Sequence, residues 1–228
     1  MNDADRLAAL AEAATALVED GMTVGLGSGS TAEAFVRALG ARVQQGLTIQ
    51  GIPTSRRTEH AAREAGIPLT TLSDSQMVDF GIDGADEIDP RLNLIKGRGG
   101  ALLYEKLVAE ACNRWVIVAA AEKLVDRLGT RIALPVEIIP FGWETTQARV
   151  EALGFAAPLR VARDGVPLIT DGNHFILDCA TGPIDDPKTL GDTLKCISGV
   201  IDHGLFVGLA AAALVCEPDG TVREIIPA

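Results

Sequence analysis

Residues 83 to 106 read DGADEIDPRLNLIKGRGGALLYEK, a stretch dense in groups that move protons or hold charge. Four carboxylates fall within its first seven residues, Lys96 stands before a glycine-rich run, and Glu105 lies near the start of a helical pattern. Asp83 continues the apolar run VDFGID and Asp86 follows one turn later, which places both at the carboxyl end of a strand, where open α/β sheets bind ligands. Glu87 and Asp89 read as a solvated acidic turn before Pro90. Leu102, Leu103, Leu107 and Val108 supply an apolar face for the helix that carries Glu105. A helical glutamate is most often a surface residue. The strand end, the lysine and the glycine loop that precede Glu105 set a proton-transfer role beside that plain reading. Metal binding is a third reading of the acids, opposed by the lack of a nearby histidine and by the lysine that follows.

A second stretch, TVGLGSGSTAEAF at 23 to 35, runs from strand through a glycine turn into a helix. Such a turn directs backbone N–H groups inward, and the helix adds its positive end, so the loop suits a phosphate or carboxylate. Ser28, Ser30 and Thr31 could each add a hydroxyl donor. Ser30 stands where a dinucleotide fingerprint needs its last glycine, and no Gly-Lys-Ser/Thr follows, so nucleotide loops fit poorly. A tight turn with a capping hydroxyl is the plain alternative. Lys123 follows the strand RWVIVAAA at another carboxyl edge, where it reads either as a solvated charge or as a phosphate contact. His60, His174 and His203 suggest no Ser/His/Asp relay, and no nicotinamide, flavin or pyridoxal signature occurs. This inventory suits cofactor-free acid–base chemistry on a phosphorylated metabolite.

The elements that must position these groups alternate in the first half. After a helix at about 3 to 19, capped near Asn2 or Asp3, strands at MTVGLG, LTIQGIP, IPLTTL, MVDFGID and RWVIVAAA alternate with helices at TAEAFVRALGARV, TEHAAREAG and about Gly100 to Asn113. This grammar predicts an α/β fold, a Rossmann-like parallel sheet covered by helices. From Ile132 it changes to strand IALPVEIIP, helix WETTQARVEALG, strands PLRVAR, PLIT and HFILDC, helix PKTLGDTLKCIS and a strand near Val200. Turns at RDGVP and TDGNH complete a smaller inserted α+β unit of the split βαβ, ferredoxin-like type. The expected division is 1–131 with 204–228 for the α/β domain and 132–203 for the insert, with the tail returning to the first sheet.

With 20 basic against 31 acidic residues the chain carries a net charge of −11, which disfavours nucleic acid and anionic membranes as partners. Its apolar runs fall short of the roughly 20 residues of a membrane helix, and its acidic beginning does not resemble a signal peptide. A cytoplasmic location is expected. Cys112, Cys179, Cys196 and Cys216 are widely spaced, which predicts free thiols, three of them in apolar surroundings.

The motifs GLGSGST, DGADEID, KGRGGALLYEK, LPVEIIP, DGNHFILD and GLF occur in the order and approximate spacing of the A-type ribose-5-phosphate isomerases, which the chain resembles over nearly its whole length. The resemblance implies interconversion of ribose 5-phosphate and ribulose 5-phosphate in the non-oxidative pentose phosphate pathway, without metal or organic cofactor, by a homodimer or dimer of dimers. It implies that Glu105 is the general base, that Asp83 assists ring opening and proton movement between oxygens, and that Lys96 with the N–H groups of Gly97 to Gly99 stabilises a cis-enediolate. It further implies substrate contacts from Ser28, Gly29, Ser30, Thr31, Gly84, Ala85, Asp86, Arg98 and Lys123. Arg98 interrupts what is an all-glycine run in some relatives, and Tyr104 replaces a basic residue often found before the glutamate. A sugar-phosphate sensor would use the same anion loop but would need a DNA-reading helix-turn-helix, for which no basic pattern is present. A phosphosugar hydrolase or deaminase would need a water-activating residue in place of Lys96 and Glu105.

Overall fold

A computed structural model describes residues 3 to 227. In chain order its helices are α1 (Asp3–Thr15), α2 (Ser30–Gln44), α3 (Arg56–Glu64), α4 (Leu102–Ala111), α5 (Trp143–Glu151) and α6 (Pro187–Lys195). The strands are β1 (Thr23–Leu26), β2 (Gln50–Pro53), β3 (Val78–Asp83), β4 (Glu87–Ile88), β5 (Leu94–Ile95) and β6 (Cys112–Ala120). Six more follow: β7 (Leu134–Ile138), β8 (Phe175–Cys179), β9 (Val200–His203), β10 (Leu205–Phe206), β11 (Ala212–Cys216) and β12 (Val222–Ile225). The cap expected at Asn2 or Asp3 lies outside the described side chains.

The chain forms two compact units, one of residues 1–85, 104–123 and 208–228, the other of 86–103 and 124–207. The expected insert, 132–203, lies wholly within the second.

In the first unit a six-stranded sheet runs in the order β12-β11-β6-β3-β1-β2. Its pairs are parallel except β11 with β12. Parallel strands buried on both faces read as continuous apolar runs, and β1, β3, β6 and β11 do so. Val24, Leu26, Phe80, Ile82, Val116, Val118 and Leu214 pack with Leu10, Phe35 and Leu39 of the helices into one core. Helix α3 starts where Ser55 accepts the N–H of Thr58, filling a donor the helix cannot satisfy itself. The strand expected at IPLTTL is reduced to a single bridge between Leu69 and Gly51.

The second unit holds two small sheets, β10-β5-β4 and β8-β7-β9, around a core that includes Ile95, Leu134, Val136, Ile138, Leu177, Leu194 and Leu205. Both neighbours of β7 are antiparallel to it. The strands expected at PLRVAR and PLIT are not regular. Residues 156–160 nevertheless run along β8, with Arg160 N–H to Ile176 O at 2.7 Å and Asp178 N–H to Pro158 O at 2.9 Å, so the spatial order is that of a split βαβ unit with a frayed edge. The GLF segment, expected with the first sheet, instead pairs as β10 with β5.

Candidate active site

Four adjacent strands of the first unit, β6, β3, β1 and β2, point their carboxyl ends the same way. Asp83 is the last residue of β3, while Lys123, Ser28 and the pair Thr54 and Ser55 follow the ends of β6, β1 and β2. Asp83 is 1% exposed. Its Oδ1 accepts the N–H of Gly84 at 2.7 Å and of Ser28 at 3.2 Å, which ties the turns after β3 and β1 together. Gly27 permits this approach. A Cβ there would run into the Asp83 carboxylate and lie 2.5 Å from Ile82 O.

Gly29, at φ 95°, precedes α2, whose first residues are Ser30 and Thr31. The loop therefore ends on a positive helix terminus, as the anion reading requires. Ser30 is exposed and Thr31 half-buried, but Ser28 is differently employed. Its Oγ lies 2.8 Å from Thr54 Oγ1 and 2.8 Å from Ser55 Oγ. Thr54 donates to Leu26 O and Thr58 to Gly27 O, while Ser55 donates to Thr58. Each partner's proton is thus spent on the protein, and the Ser28 hydroxyl donates into this cluster. The Ser28 hydroxyl therefore sits within a hydroxyl cluster rather than standing alone in the loop. Thr54, Ser55 and Thr58 were not singled out from the sequence. The signal was the run PTSRRT following a strand end.

Lys123 ends a short 3-10 turn, Ala121–Lys123, and is half-buried. Its neighbour Glu122 is paired with Arg6 at 2.6 Å. Glu105 lies in the first turn of α4 and is 5% exposed. The inward face of α4 is not the one expected: Leu102, Glu105, Lys106, Val108 and Ala109 are buried, while Tyr104 and Leu107 are exposed. The helix thus turns two charged residues inward at the expense of a leucine. Burial and the Asp83 carboxylate together push the Cys112 thiol up to about 12, which leaves it protonated and inert.

In the second unit β5 and β10 present Lys96, 3% exposed, with its Nζ 5.7 Å from the centre of the Phe206 ring. That distance fits a cation–π contact. Backbone N–H of Lys96 donates to Gly204 O at 2.9 Å. The following turn closes with Gly100 N–H to Gly97 O at 3.0 Å, and Gly97 and Gly100 both take positive φ, 101° and 84°, a conformation that costs glycine little. Asp86 accepts the N–H of Arg98 at 3.0 Å. The Arg98 N–H, expected among the stabilising donors, is therefore held by Asp86.

Glu87 is a second correction. It is fully buried in β4, not solvated, and its carboxylate accepts N–H groups from Gly129 and Arg131 at 2.6 Å and Ile132 at 3.1 Å. Backbone donors of this kind satisfy a buried carboxylate and hold a loop in place. Asp89 behaves as expected of a turn residue, accepting from Arg91 N–H, Asn93 N–H and Asn93 Nδ2.

Comparison with known proteins places this arrangement. The family described as Ribose 5-phosphate isomerase A (phosphoriboisomerase A) matches residues 50–220. A protein named ribose-5-phosphate isomerase A from Synechococcus sp. (strain JA-3-3Ab) is 52% identical over 98% of this chain and 100% of its own. The structure of ribose 5-phosphate isomerase A from Methanocaldococcus jannaschii superposes with a TM-score of 0.93 at 37% identity, covering 99% of this chain and 100% of that one. A D-ribose-5-phosphate isomerase solved in complex with phospho-erythronic acid superposes with a TM-score of 0.95 at 36% identity, again over 99% and 100%. The fold is that of a sugar-phosphate isomerase with an α/β core. The chain belongs to the ribose 5-phosphate isomerase A family.

Proposed function

We propose that the chain interconverts D-ribose 5-phosphate and D-ribulose 5-phosphate, in the non-oxidative pentose phosphate pathway, by proton transfer through a cis-enediolate with Glu105 as the base. In this reading Glu105 removes the proton on C2 of the opened aldose and returns it to C1. Asp83 assists ring opening and passes a proton between the C1 and C2 oxygens. A carboxylate is a far weaker base than the carbanion it must generate, so the negative charge on oxygen has to be met as it forms. Lys96 and the amides of Gly97 and Gly99 meet it. The loop Ser28 to Thr31, Gly84, Ala85, Asp86, Arg98 and Lys123 hold the sugar hydroxyls and the phosphate, the phosphate drawn by the α2 terminus and the Lys123 charge.

The observation that carries this reading is the burial of Asp83, Lys96 and Glu105, at 1%, 3% and 5% exposure, within 23 residues of sequence. Ionisable side chains are seldom removed from water so completely without a task that needs them. The test is conversion of ribose 5-phosphate in the presence of a chelator, with Glu105→Gln alongside. Metal-independent turnover by the parent, reduced about 10²- to 10⁴-fold in the variant, is expected. A variant as active as the parent would remove Glu105 from the role.

We place the chain in the cytoplasm, a reading supported by four unpaired thiols, which a reducing compartment maintains. Among the described residues no helix is long and apolar enough to cross a membrane. We further read it as a homodimer or dimer of dimers joined through the smaller unit. Phe141 and Ile169 there are 91% and 65% exposed, with Val161 and Val166 also open, apolar side chains that an oligomer contact would cover.

A further inference from the structure

Arg160 lies far from the acidic motif in sequence, on the frayed edge beside β8, and the second unit brings it to the glycine loop. Leu159 bridges Leu177, and both pack into the core of the unit. Side chains alternate along such segments, so Arg160 and Asp178 both stand on the opposite face, diagonally across the strand pair. The Asp178 carboxylate receives the Arg160 guanidinium on two nitrogens, Nε at 3.0 Å to Oδ2 and Nη2 to Oδ1. That leaves Nη1, which donates to Gly97 O at 2.8 Å and to Arg98 O at 3.0 Å. The loop lies on this face by a second measure: a Cβ on Gly100 would be 3.4 Å from Leu168 Cδ2 and 3.8 Å from Ile176 Cδ1.

We propose that Arg160, held by Asp178, is a positioning residue that aims the Gly99 amide at the developing enediolate. The inference rests on the function proposed above. In a trans peptide unit the C=O and the N–H of the next residue point in opposite directions. Drawing the carbonyls of Gly97 and Arg98 to one guanidinium nitrogen turns the N–H groups of Arg98 and Gly99 to the other side. Asp86 takes the first of these at 3.0 Å, which fixes which side that is, and the Gly99 N–H faces it too. Glycine-rich backbone loses more conformational freedom on ordering than any other, so this loop depends on ties from outside itself. The guanidinium also polarises both peptide units, which strengthens their N–H groups as donors. Lysine could not serve equally, because a point ammonium cannot grip a carboxylate with two donors and two carbonyls with a third.

The test compares two ligands on Arg160→Ala, Arg160→Lys and Asp178→Asn. Phospho-erythronic acid carries a carboxylate where the reacting carbons of the enediolate would bear their oxygens, so it reads the aimed amide, whereas the KM for ribose 5-phosphate reads mainly the phosphate and hydroxyl contacts. Arg160→Ala is expected to lower kcat and the affinity for phospho-erythronic acid together, by about 100-fold as for a misplaced catalytic group, while KM changes less than about 3-fold. Arg160→Lys should recover part of the loss, and Asp178→Asn should fall in the same direction as Arg160→Ala. If Arg160→Ala does not fold, the other two variants decide the matter by the same comparison. Folded variants that keep the parent's kcat and phospho-erythronic acid affinity would overturn the proposal, as would an equal loss in both ligands. A parent that neither turns over ribose 5-phosphate nor binds phospho-erythronic acid would instead sink the isomerase reading itself.

Discussion

At the scale of single residues the candidate site is a set of charges removed from water and supplied with specific company. Asp83 is held by two backbone amides and Lys96 by an aromatic face. Asp83 and Lys96 were singled out in the sequence because one continues an apolar strand and the other stands before a glycine-rich run; the sheet around Lys96 was not legible there. Glu87 was not legible. Its acidic neighbours and the nearby proline mark a surface turn, and the amides that satisfy it come from residues 129 to 132, more than forty positions away. The Ser28 cluster was half legible, because the glycine loop shows in the sequence while the hydroxyls that engage the Ser28 side chain belong to the next strand end. Gly27 gives a test at this scale. Gly27→Ala places a methyl against the Asp83 carboxylate and the Ile82 carbonyl, and backbone cannot yield as a long side chain can. We expect destabilisation by about 1–3 kcal/mol, as for overpacking, and a fall in kcat from displacement of Asp83. Denaturant melts and steady-state kinetics measure both, and an alanine variant with parental kcat would show that Asp83 need not sit where it does.

Among the elements, the long ones were written plainly and the short ones were not. Strand β6 and helices α2 and α6 each span nine residues or more, enough to show a period, whereas β4, β5 and β10 have two residues each and no period at all. Those three strands nevertheless frame Lys96, so the sequence showed the lysine without the sheet that aims it. The inward face of α4 was misread for a related reason: apolar periodicity favours Leu107, but the helix is turned so that Glu105 and Lys106 are inside. Strand β7 carries a further buried acid. Glu137 is 1% exposed, its Oε1 accepting from Thr170 at 2.8 Å and lying 3.0 Å from His174 Nδ1. Burial raises it above the ordinary glutamate value of 4.5, Asp202 adds to the rise, and the Thr170 and His174 contacts oppose it without cancelling it. The folded state therefore favours the protonated acid. The stability this confers is complete below pH 4.5 and is lost as pH rises through the elevated value. Glu137→Gln, which stays neutral, should match the parent's melting temperature near pH 4 and exceed it at pH 7.5. A lower melting temperature for the variant at pH 7.5 would mean that the ionised acid is a net stabiliser.

For the molecule as a whole, the change of grammar near Ile132 showed in the sequence because alternating strand and helix gave way to hairpin turns. That residues 86–103 leave the first unit for the second did not show, since nothing in PRLNLIKGRGG differs from an ordinary loop. The proposed chemistry rests on Glu105 as base, Asp83 as acid and the Lys96 loop as the holder of charge. Its central claim is that hydrogen travels from C2 to C1 as a proton on a carboxylate. The direct measurement is to run the reaction in deuterium oxide through many turnovers and follow C1 of ribulose 5-phosphate and C2 of ribose 5-phosphate by NMR. The account predicts that solvent deuterium accumulates at both carbons with the parent and at neither with Glu105→Gln. Full retention of the original hydrogen by an active parent would mean transfer as hydride and would contradict the enediolate.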